Sequence, residues 1–252
     1  MDFSSMLTDT LAGRALRLPL KLLPRDTVMP ILQGPCRGMR WIVGSGTHGY
    51  WLGSFEESKR RVFERVVARD SVVYDVGAHA GYYSLLASRL VGPAGRVYAF
   101  EPLPANVGYL NQHLRLNRIE NVTVIQAAVL DRDGRASFAE GPNSLMGRVS
   151  PEGSLQVAAV GLDALVESRS ALPPNYVKID VEGAELLVLQ GGRRLLVREH
   201  PTIFLATHGP EVRTACQELL ACLGYSLLCL GGQRSGEPDE FLASYARAPL
   251  GL

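Results

Sequence analysis

The pattern of hydrophobic positions changes near residue 70. Residues 31–53 mix glycines with aromatic side chains, which predicts short strands and turns, and residues 56–69 show the apolar stripe of a helix. From Asp70 onward, short apolar runs alternate with helical stretches. The sequence therefore predicts an extension, residues 1–70, that packs on a core domain of residues 71–252.

The alternation in the core domain indicates an α/β fold. Buried strands are predicted at 72–76, 96–100, 122–127, 176–179 and 202–207, with helices between most of them and a strand-rich excursion over 136–160. Strands that alternate with helices form a parallel sheet with helices on its faces. The last two strands, 225–230 and 241–246, are joined by a Gly/Pro loop with no crossover helix, so we expect them to pair antiparallel.

Composition and charge exclude several classes of protein. The 26 Lys and Arg residues balance 25 Asp and Glu residues, for a net charge of +1, and this disfavours a nucleic-acid partner. No apolar run approaches the roughly 18 residues of a membrane span. The four cysteines, three of them in apolar stretches, show no CxxC or metal-ligand spacing. We expect reduced core thiols, which agrees with a cytoplasmic location.

Residues 1–25 allow two interpretations. Leucines and basic residues recur at helical spacing, so the segment either rests on a membrane surface as a basic amphipathic helix or packs its apolar face on the domain or on a partner subunit. Pro19 and Pro24 shorten any helix here, which favours packing. A secretory signal is not expected, because polar residues come first and basic residues interrupt the apolar stretch.

The first candidate site lies at the end of the first parallel strand. Asp75 is followed by Gly77 and Gly81 in a strand–turn–helix segment, the position where α/β sheets bind nucleotides. Glycine allows the backbone to approach a ligand closely. The GxxxG spacing differs from the GxGxxG of dinucleotide sites, and Asp75 would repel a pyrophosphate while attracting the amino group of a methionine moiety. The turn therefore favours S-adenosylmethionine over a nicotinamide cofactor.

Two further strand ends carry acidic residues. Glu101 follows the second strand and is placed to accept hydrogen bonds from both hydroxyls of a ribose. Lys178 and Asp180 alternate in phase near a later strand end and should point to the same side. Asp180 and Glu182 would orient a substrate, hold a divalent cation or act as a base; alternatively, they cap the following helix.

Other candidate residues are histidines and aromatic side chains. His208 follows a strand at the same sheet edge and is either a general base for an alcohol or a turn residue. His48, His113 and His200 are expected at the surface or in packing. Four aromatic residues either wall an acceptor pocket or belong to the core: Tyr50, Trp51, Tyr82 and Tyr83.

These motifs resemble the FkbM family of S-adenosylmethionine-dependent methyltransferases. The resemblance covers roughly residues 48–246. Its matching segments are 50–56, 74–83, 100–104, Asn117, 127–134, 162–163 and 177–185. It implies a class I (Rossmann-like) methyltransferase fold: a seven-stranded, mostly parallel sheet whose last strand is antiparallel, with helices on both faces. It also implies methyl transfer, usually to a hydroxyl of a sugar, polyketide or related small molecule.

The resemblance also implies roles for individual residues. Asp75, Gly77 and Gly81 would surround the methionine part of the cofactor, Glu101 the ribose, and Ala128 would lie near the adenine. The full expected cofactor site is Asp75, Gly77, Ala78, His79, Gly81, Glu101, Pro102 and Ala128. The family often has asparagine where this chain has His79; the imidazole either keeps the hydrogen bond or belongs to the catalytic groups.

The sequence thus predicts direct transfer of a sulfonium methyl group to a small-molecule hydroxyl. Asp180, with His208 or Glu182, would position and deprotonate the acceptor. No metal site is assigned, because two acids alone give little support for a divalent metal. The alternative is a non-catalytic S-adenosylmethionine-binding protein that docks on a partner or membrane through its N-terminal segment. A nucleic-acid methyltransferase would show a basic face, which the near-neutral charge disfavours.

Overall fold

The computed structural model describes residues 23–141, 147–230 and 239–245. The hypotheses about residues 1–25 therefore fall almost entirely outside the described residues. The described part of the extension contains β1 (Val28–Pro30), β2 (Arg40–Ile42), a 3₁₀ turn (Val43–Ser45), α1 (His48–Leu52) and α2 (Glu57–Val66). Strands β1 and β2 pair antiparallel.

A seven-stranded mixed sheet forms the centre of the described structure. Its members are β3 (Val72–Val76), β4 (Arg96–Phe100), β5 (Val122–Ile125), β10 (Tyr176–Ile179), β11 (Thr202–Ala206), β12 (Tyr225–Cys229) and β13 (Glu240–Tyr245). The spatial order is β12-β13-β11-β10-β3-β4-β5. The strands from β11 to β5 are parallel, and β13 runs antiparallel to both β11 and β12. The predicted antiparallel pairing of the last two strands is confirmed.

Helices pack on both faces of this sheet. They are α3 (Tyr82–Val91), α4 (Pro104–Leu116), α5 (Leu162–Glu167), α6 (Glu185–Gly191), α7 (Arg193–Glu199) and α8 (Pro210–Cys222). Successive side chains of a strand point to opposite faces. Accordingly, Val73 packs in one hydrophobic cluster with Leu85 of α3, whereas Tyr74 packs in another with Leu189 of α6.

A second, smaller sheet follows β5 in the chain. It contains β6 (Ala128–Leu130), β7 (Gly134–Glu140), β8 (Gly147–Val149) and β9 (Leu155–Gly161), in the order β6-β9-β7-β8. This confirms the strand-rich excursion. The continuous strand predicted over 122–127 is wrong at its end, because the Ala127 N–H bonds to the Ile125 carbonyl and turns the chain into β6.

The described part of the extension shares a hydrophobic cluster with the central sheet. Trp41, Trp51 and Phe63 are almost fully buried and pack with Leu85 and other residues of the core domain. The Trp41 indole stacks on the His113 imidazole with ring centroids 3.9 Å apart. The domain division at residue 70 stays a prediction.

Two of the four cysteines lie in the core and two at the surface. Cys36 and Cys216 are buried, whereas Cys222 and Cys229 are exposed. The expectation of core thiols is therefore wrong for the last two. Cys222 ends helix α8, and Cys229 ends β12, which lies at the edge of the sheet. Within residues 23–141, 147–230 and 239–245, no helix is long and apolar enough to cross a membrane.

Candidate active site

A cavity of about 270 Å³ lies at the carboxyl ends of the parallel strands. The sheet topology places the ends of β3, β4 and β10 side by side at this edge. Most of the predicted site residues line the cavity: Gly77, Ala78, His79, Glu101, Pro102, Ala128, Asp180, Glu182 and His208. Asp75 and Gly81 do not. The topology therefore brings together residues that are far apart in the chain.

The turn after β3 is packed tightly between neighbouring strand ends. The N–H groups of Gly77 and Ala78 both donate to the Phe100 carbonyl of β4. Gly77 adopts a φ of +78°, and a Cβ there would lie 1.9 Å from the Asp180 carbonyl oxygen. His79 also has a positive φ, of 52°. This turn therefore presents backbone, with no side chain at Gly77, to the cavity.

Glu101 is a buried carboxylate that remains on the cavity wall. Its Oε2 accepts a hydrogen bond from the His79 N–H at 2.8 Å, and its Oε1 accepts from the Leu103 N–H at 2.9 Å and from Asn106 Nδ2 at 3.2 Å. Burial raises the pKa of Glu101, and the three donors partly offset that shift. Since a carboxylate has about four acceptor positions, at least one is left for a ligand.

Asp75 lies beneath the turn instead of on the cavity wall. It is 1% exposed, accepts a hydrogen bond from Ser84 Oγ at 2.6 Å, and pairs with Lys178 Nζ at 3.2 Å. Lys178 is its neighbour in register on β10 and also donates to the Gly77 carbonyl at 2.9 Å. The structure therefore does not bring Asp75 to the position expected for a contact with methionine, because the adjacent strand already supplies its cation.

Gly81 is also away from the cavity wall. It is the N-cap residue of α3, with a φ of 95°, and a Cβ there would lie 2.2 Å from Leu110 Cδ1 of helix α4. This glycine therefore allows close packing of two helices. Its placement explains the second glycine of the motif without a ligand contact.

His208 faces three carboxylates. Its Nδ1 lies 2.8 Å from Glu185 Oε1, and its Nε2 lies 3.5 Å from Glu182 Oε2 and 3.8 Å from Asp180 Oδ1. The hydrogen bond to Glu185 is the main cause that raises the pKa of His208 to about 9, against the effect of burial, and the other two acids add to it. The imidazole is therefore protonated at neutral pH in the cofactor-free protein.

A lysine from the extension binds Oδ2 of Asp180, the carboxylate oxygen that does not face His208. Lys59 Nζ on α2 lies 3.1 Å from Asp180 Oδ2. Burial raises the pKa of Asp180, but Lys59, Lys178 and His208 more than offset it and hold that pKa at about 2. The carboxylate is therefore ionised at neutral pH.

Neither Asp180 nor Glu182 caps the following helix. Helix α6 begins at Glu185, and its N-cap residue Ala184 makes no side-chain capping bond. Glu185 Oε1 instead accepts a hydrogen bond from the Gly183 N–H at 2.9 Å as well as meeting His208. The capping alternative is therefore wrong for both acids.

Sequence reasoning missed two side chains of this site. Glu185 is in the first turn of α6, where an acid is ordinarily explained by the helix dipole. Lys59 lies in a strongly polar helix, where a lysine is expected in solvent, yet it is only 2% exposed. The hydrophobic pattern of α2 did not predict that Lys59 is buried, because its burial depends on residues of other elements, such as Asp180 and Glu240.

Aromatic side chains also line the cavity. Tyr50, Tyr82, Tyr83 and Phe55 contribute to its wall. The three tyrosines are at the same time buried members of a hydrophobic core cluster, so they belong both to the wall and to the core. Trp51 belongs to the core and is 2% exposed. His113 is a packing residue, since it accepts from the Ile42 N–H at Nε2 and donates from Nδ1 to the Ala80 carbonyl. Within the described residues, no group of three or more His, Cys, Asp or Glu side chains is arranged to hold a metal ion.

Comparison with known proteins agrees with this geometry. Residues 75–227 match the family model described as the methyltransferase FkbM domain. The chain is 32% identical over 139 residues to hexuronic acid methyltransferase AglP of Haloferax volcanii, covering 54% of this chain and 56% of AglP. It is 31% identical over 67 residues to an uncharacterized protein of Methanocaldococcus jannaschii, covering 27% of this chain and 25% of that protein. The match thus spans about half the length of the first relative and a quarter of the second.

A solved structure extends the likeness to the fold. The crystal structure of methyltransferase FkbM from Methylobacillus flagellatus superposes with a TM-score of 0.52 at 22% identity, over 70% of this chain and 44% of that one. The family model covers more than half of the chain and includes Glu101, Asp180 and His208. The resemblance drawn from the motifs is confirmed, and this protein belongs to the FkbM methyltransferase family.

Proposed function

We propose that this protein binds S-adenosylmethionine in the cavity and transfers its methyl group to a hydroxyl oxygen of a small molecule. The observation that carries the proposal is Glu101, a buried carboxylate at the end of β4 that still lines the cavity after accepting three hydrogen bonds. A carboxylate at this strand end suits the hydroxyls of a ribose. The strand order, with β13 antiparallel, supports the class I methyltransferase fold.

The residues of the cavity fit this cofactor. The turn at Gly77 and Ala78 exposes backbone for a close approach, and a side chain at Gly77 would collide with the neighbouring strand. Beyond Glu101, the wall is apolar at Leu103, Ala128 and Phe138, which suits an adenine ring. When bound, the cofactor supplies an electrophilic methyl group on a positively charged sulfur.

The part of the cavity lined by Asp180, Glu182 and His208 suits an acceptor hydroxyl. Asp180 is ionised and accepts a hydrogen bond from such a group, while His208 is protonated and donates. A carboxylate with a pKa of about 2 is a weak base, so Asp180 would first orient the hydroxyl. It would accept the hydroxyl proton only as that oxygen gains the methyl group and becomes strongly acidic. Tyr82 and Tyr83 line this region and help to exclude water.

A sugar is the acceptor class that we favour. The name of AglP states that it acts on a hexuronic acid, and its similarity to this chain supports a related hydroxyl-rich substrate. Aromatic rings beside carboxylates, as at Tyr50 and Asp180, are suited to the apolar faces and hydroxyl groups of sugars. The methyl group would then be transferred to a hydroxyl oxygen of the sugar.

Calorimetric titration with S-adenosylhomocysteine tests cofactor binding. Glu101→Gln removes the charge that accepts the ribose hydroxyls, so we expect binding about 10-fold weaker or more. Glu120→Gln, a change of an exposed glutamate, is the matched control and should bind as the wild type does. Absence of binding to the folded wild type would contradict the proposal. Binding without methyl transfer to any sugar would favour the non-catalytic alternative.

A further inference from the structure

We propose that Lys59 is a positioning residue that fixes the Asp180 carboxylate so that it accepts a hydrogen bond from the acceptor hydroxyl. Lys59 belongs to α2, outside the residues 75–227 that match the family model. The role given to Lys59 rests on the proposed function. Because Lys59 lies in the extension, this role means that the extension supplies part of the active site.

The geometry divides the two oxygens of Asp180 between two cations. Lys59 Nζ donates to Oδ2 at 3.1 Å, while Oδ1 lies toward His208 Nε2 at 3.8 Å. The second distance is too long for a direct hydrogen bond. The lysine therefore holds one oxygen and leaves the other directed toward the histidine that also lines the cavity.

The surroundings of Lys59 explain how a buried ammonium is tolerated. Nζ also lies 3.3 Å from Glu56 Oε2 and 3.5 Å from Glu240 Oε1, and 5.6 Å from the ring centroid of Tyr83. A buried charge needs such compensation, because its transfer from water is costly. Asp180 is thus one of three carboxylates that meet at Lys59.

Charged groups face Asp180 from several elements. The cations are Lys59 on α2, Lys178 on β10 and His208 after β11; the anions near the same lysine or histidine are Glu56, Glu182, Glu185 and Glu240. Burial raises the pKa of Asp180, and Lys59 is the largest of the influences that lower it. Removal of Lys59 alone should therefore raise that pKa, since burial and the nearby anions remain.

A lysine that acted only through its other partners would behave differently. If Lys59 anchored α2 through Glu56 and Glu240 alone, its loss would lower the free energy of unfolding without a change in the titration of Asp180. The ionisation of Asp180 is therefore the informative quantity, and it can be measured without cofactor or acceptor.

The experiment is a carbon-13 NMR titration of aspartate carboxyl groups in the full chain, with Asp180→Asn used to assign the Asp180 signal. In the wild type we expect no titration of Asp180 above about pH 3. In Lys59→Gln the midpoint should rise by about one pH unit or more, and Lys59→Arg should restore a low midpoint. Arg61→Gln is the control on the same helix, because Arg61 is largely exposed and pairs with Glu57.

Two results would overturn the inference. One is a titration midpoint of Asp180 in the wild type near the ordinary aspartate value of 3.8. This result can be obtained even if no Lys59 variant folds. The other is an unchanged midpoint in folded Lys59→Gln. Titration of the wild type with S-adenosylhomocysteine separates this question from the proposed function. Failure of the wild type to bind would remove the methyl-transfer role whatever the aspartate titration shows.

Discussion

One neighbour is the main influence on the pKa of His208. Glu185 is fully buried, and its contact at 2.8 Å raises the pKa of the imidazole to about 9. An ordinary histidine would be largely neutral at pH 7 and suited to act as a base. In the cofactor-free protein His208 is instead a cation and a donor, whereas the general-base alternative requires a neutral imidazole.

Replacement of Glu185 by glutamine should lower the pKa of His208 from about 9 toward 6.5, because the charged partner is lost. NMR titration of the imidazole signals measures this midpoint, with the wild type titrated alongside. An unchanged midpoint for His208 would contradict the assignment.

The same shift predicts a pH dependence of stability. A group whose pKa is raised on folding contributes stability that is fully present below its unfolded pKa, near 6.5, and is lost as the pH rises through about 9. The free energy of unfolding of the wild type should therefore fall over this interval. The fall should be smaller in Glu185→Gln, as measured by urea denaturation at a series of pH values.

At the scale of elements, the turn between β3 and α3 depends on what lies across from it. Gly77 has a positive φ and faces the Asp180 carbonyl at the end of β10. Gly183 has a φ of +103°, but no atom lies within 4 Å of the point that a Cβ would occupy there. The two glycines thus share a backbone requirement and differ in crowding.

Gly77→Ala should therefore destabilise the protein more than Gly183→Ala. We expect about 1 kcal/mol for Gly183→Ala, from backbone strain alone. For Gly77→Ala we expect roughly 3 kcal/mol or more, because the methyl group also forces β3 and β10 apart. Urea denaturation of both variants measures the difference. Equal losses would show that crowding at Gly77 is relieved at little cost.

At the scale of the whole molecule, the extension and the central sheet share one hydrophobic cluster. Trp41 and Trp51, the two tryptophans of the chain, both lie in the extension and are buried. Lys59 links the same segment to the active site. Since neither part buries its apolar surface alone, we expect the described parts to unfold together.

Unfolding in urea should therefore give the same midpoint by tryptophan fluorescence, which reports the extension, and by far-ultraviolet circular dichroism, which mainly reports the helices and sheet. Trp41→Ala should lower both midpoints together, at a cost of about 3–5 kcal/mol. Val28→Ala, in the same extension but 42% exposed, should change neither. An earlier fluorescence transition would show that the extension unfolds independently.

The strand ends show how much of the site can be predicted from the sequence. Apolar runs locate β3, β4, β10 and β11, and parallel strands place their carboxyl ends at one edge, so the sequence alone groups Glu101, Asp180 and His208. Asp75 shows the limit. Its place near the end of a buried strand is predicted correctly, but whether it faces the cavity depends on Lys178 in the adjacent strand.

Local order along the chain determined the α/β fold and the antiparallel final strand, because hydrophobic periodicity and turn residues act over a few positions. The family followed from the resemblance of the motifs. The pKa shifts of Asp180 and His208 were decided only by tertiary structure. Lys59 and Asp180 are 121 positions apart, and His208 and Glu185 are 23 apart. Electrostatic effects depend on distance in space and on burial, and neither quantity is encoded in the spacing of residues along the chain.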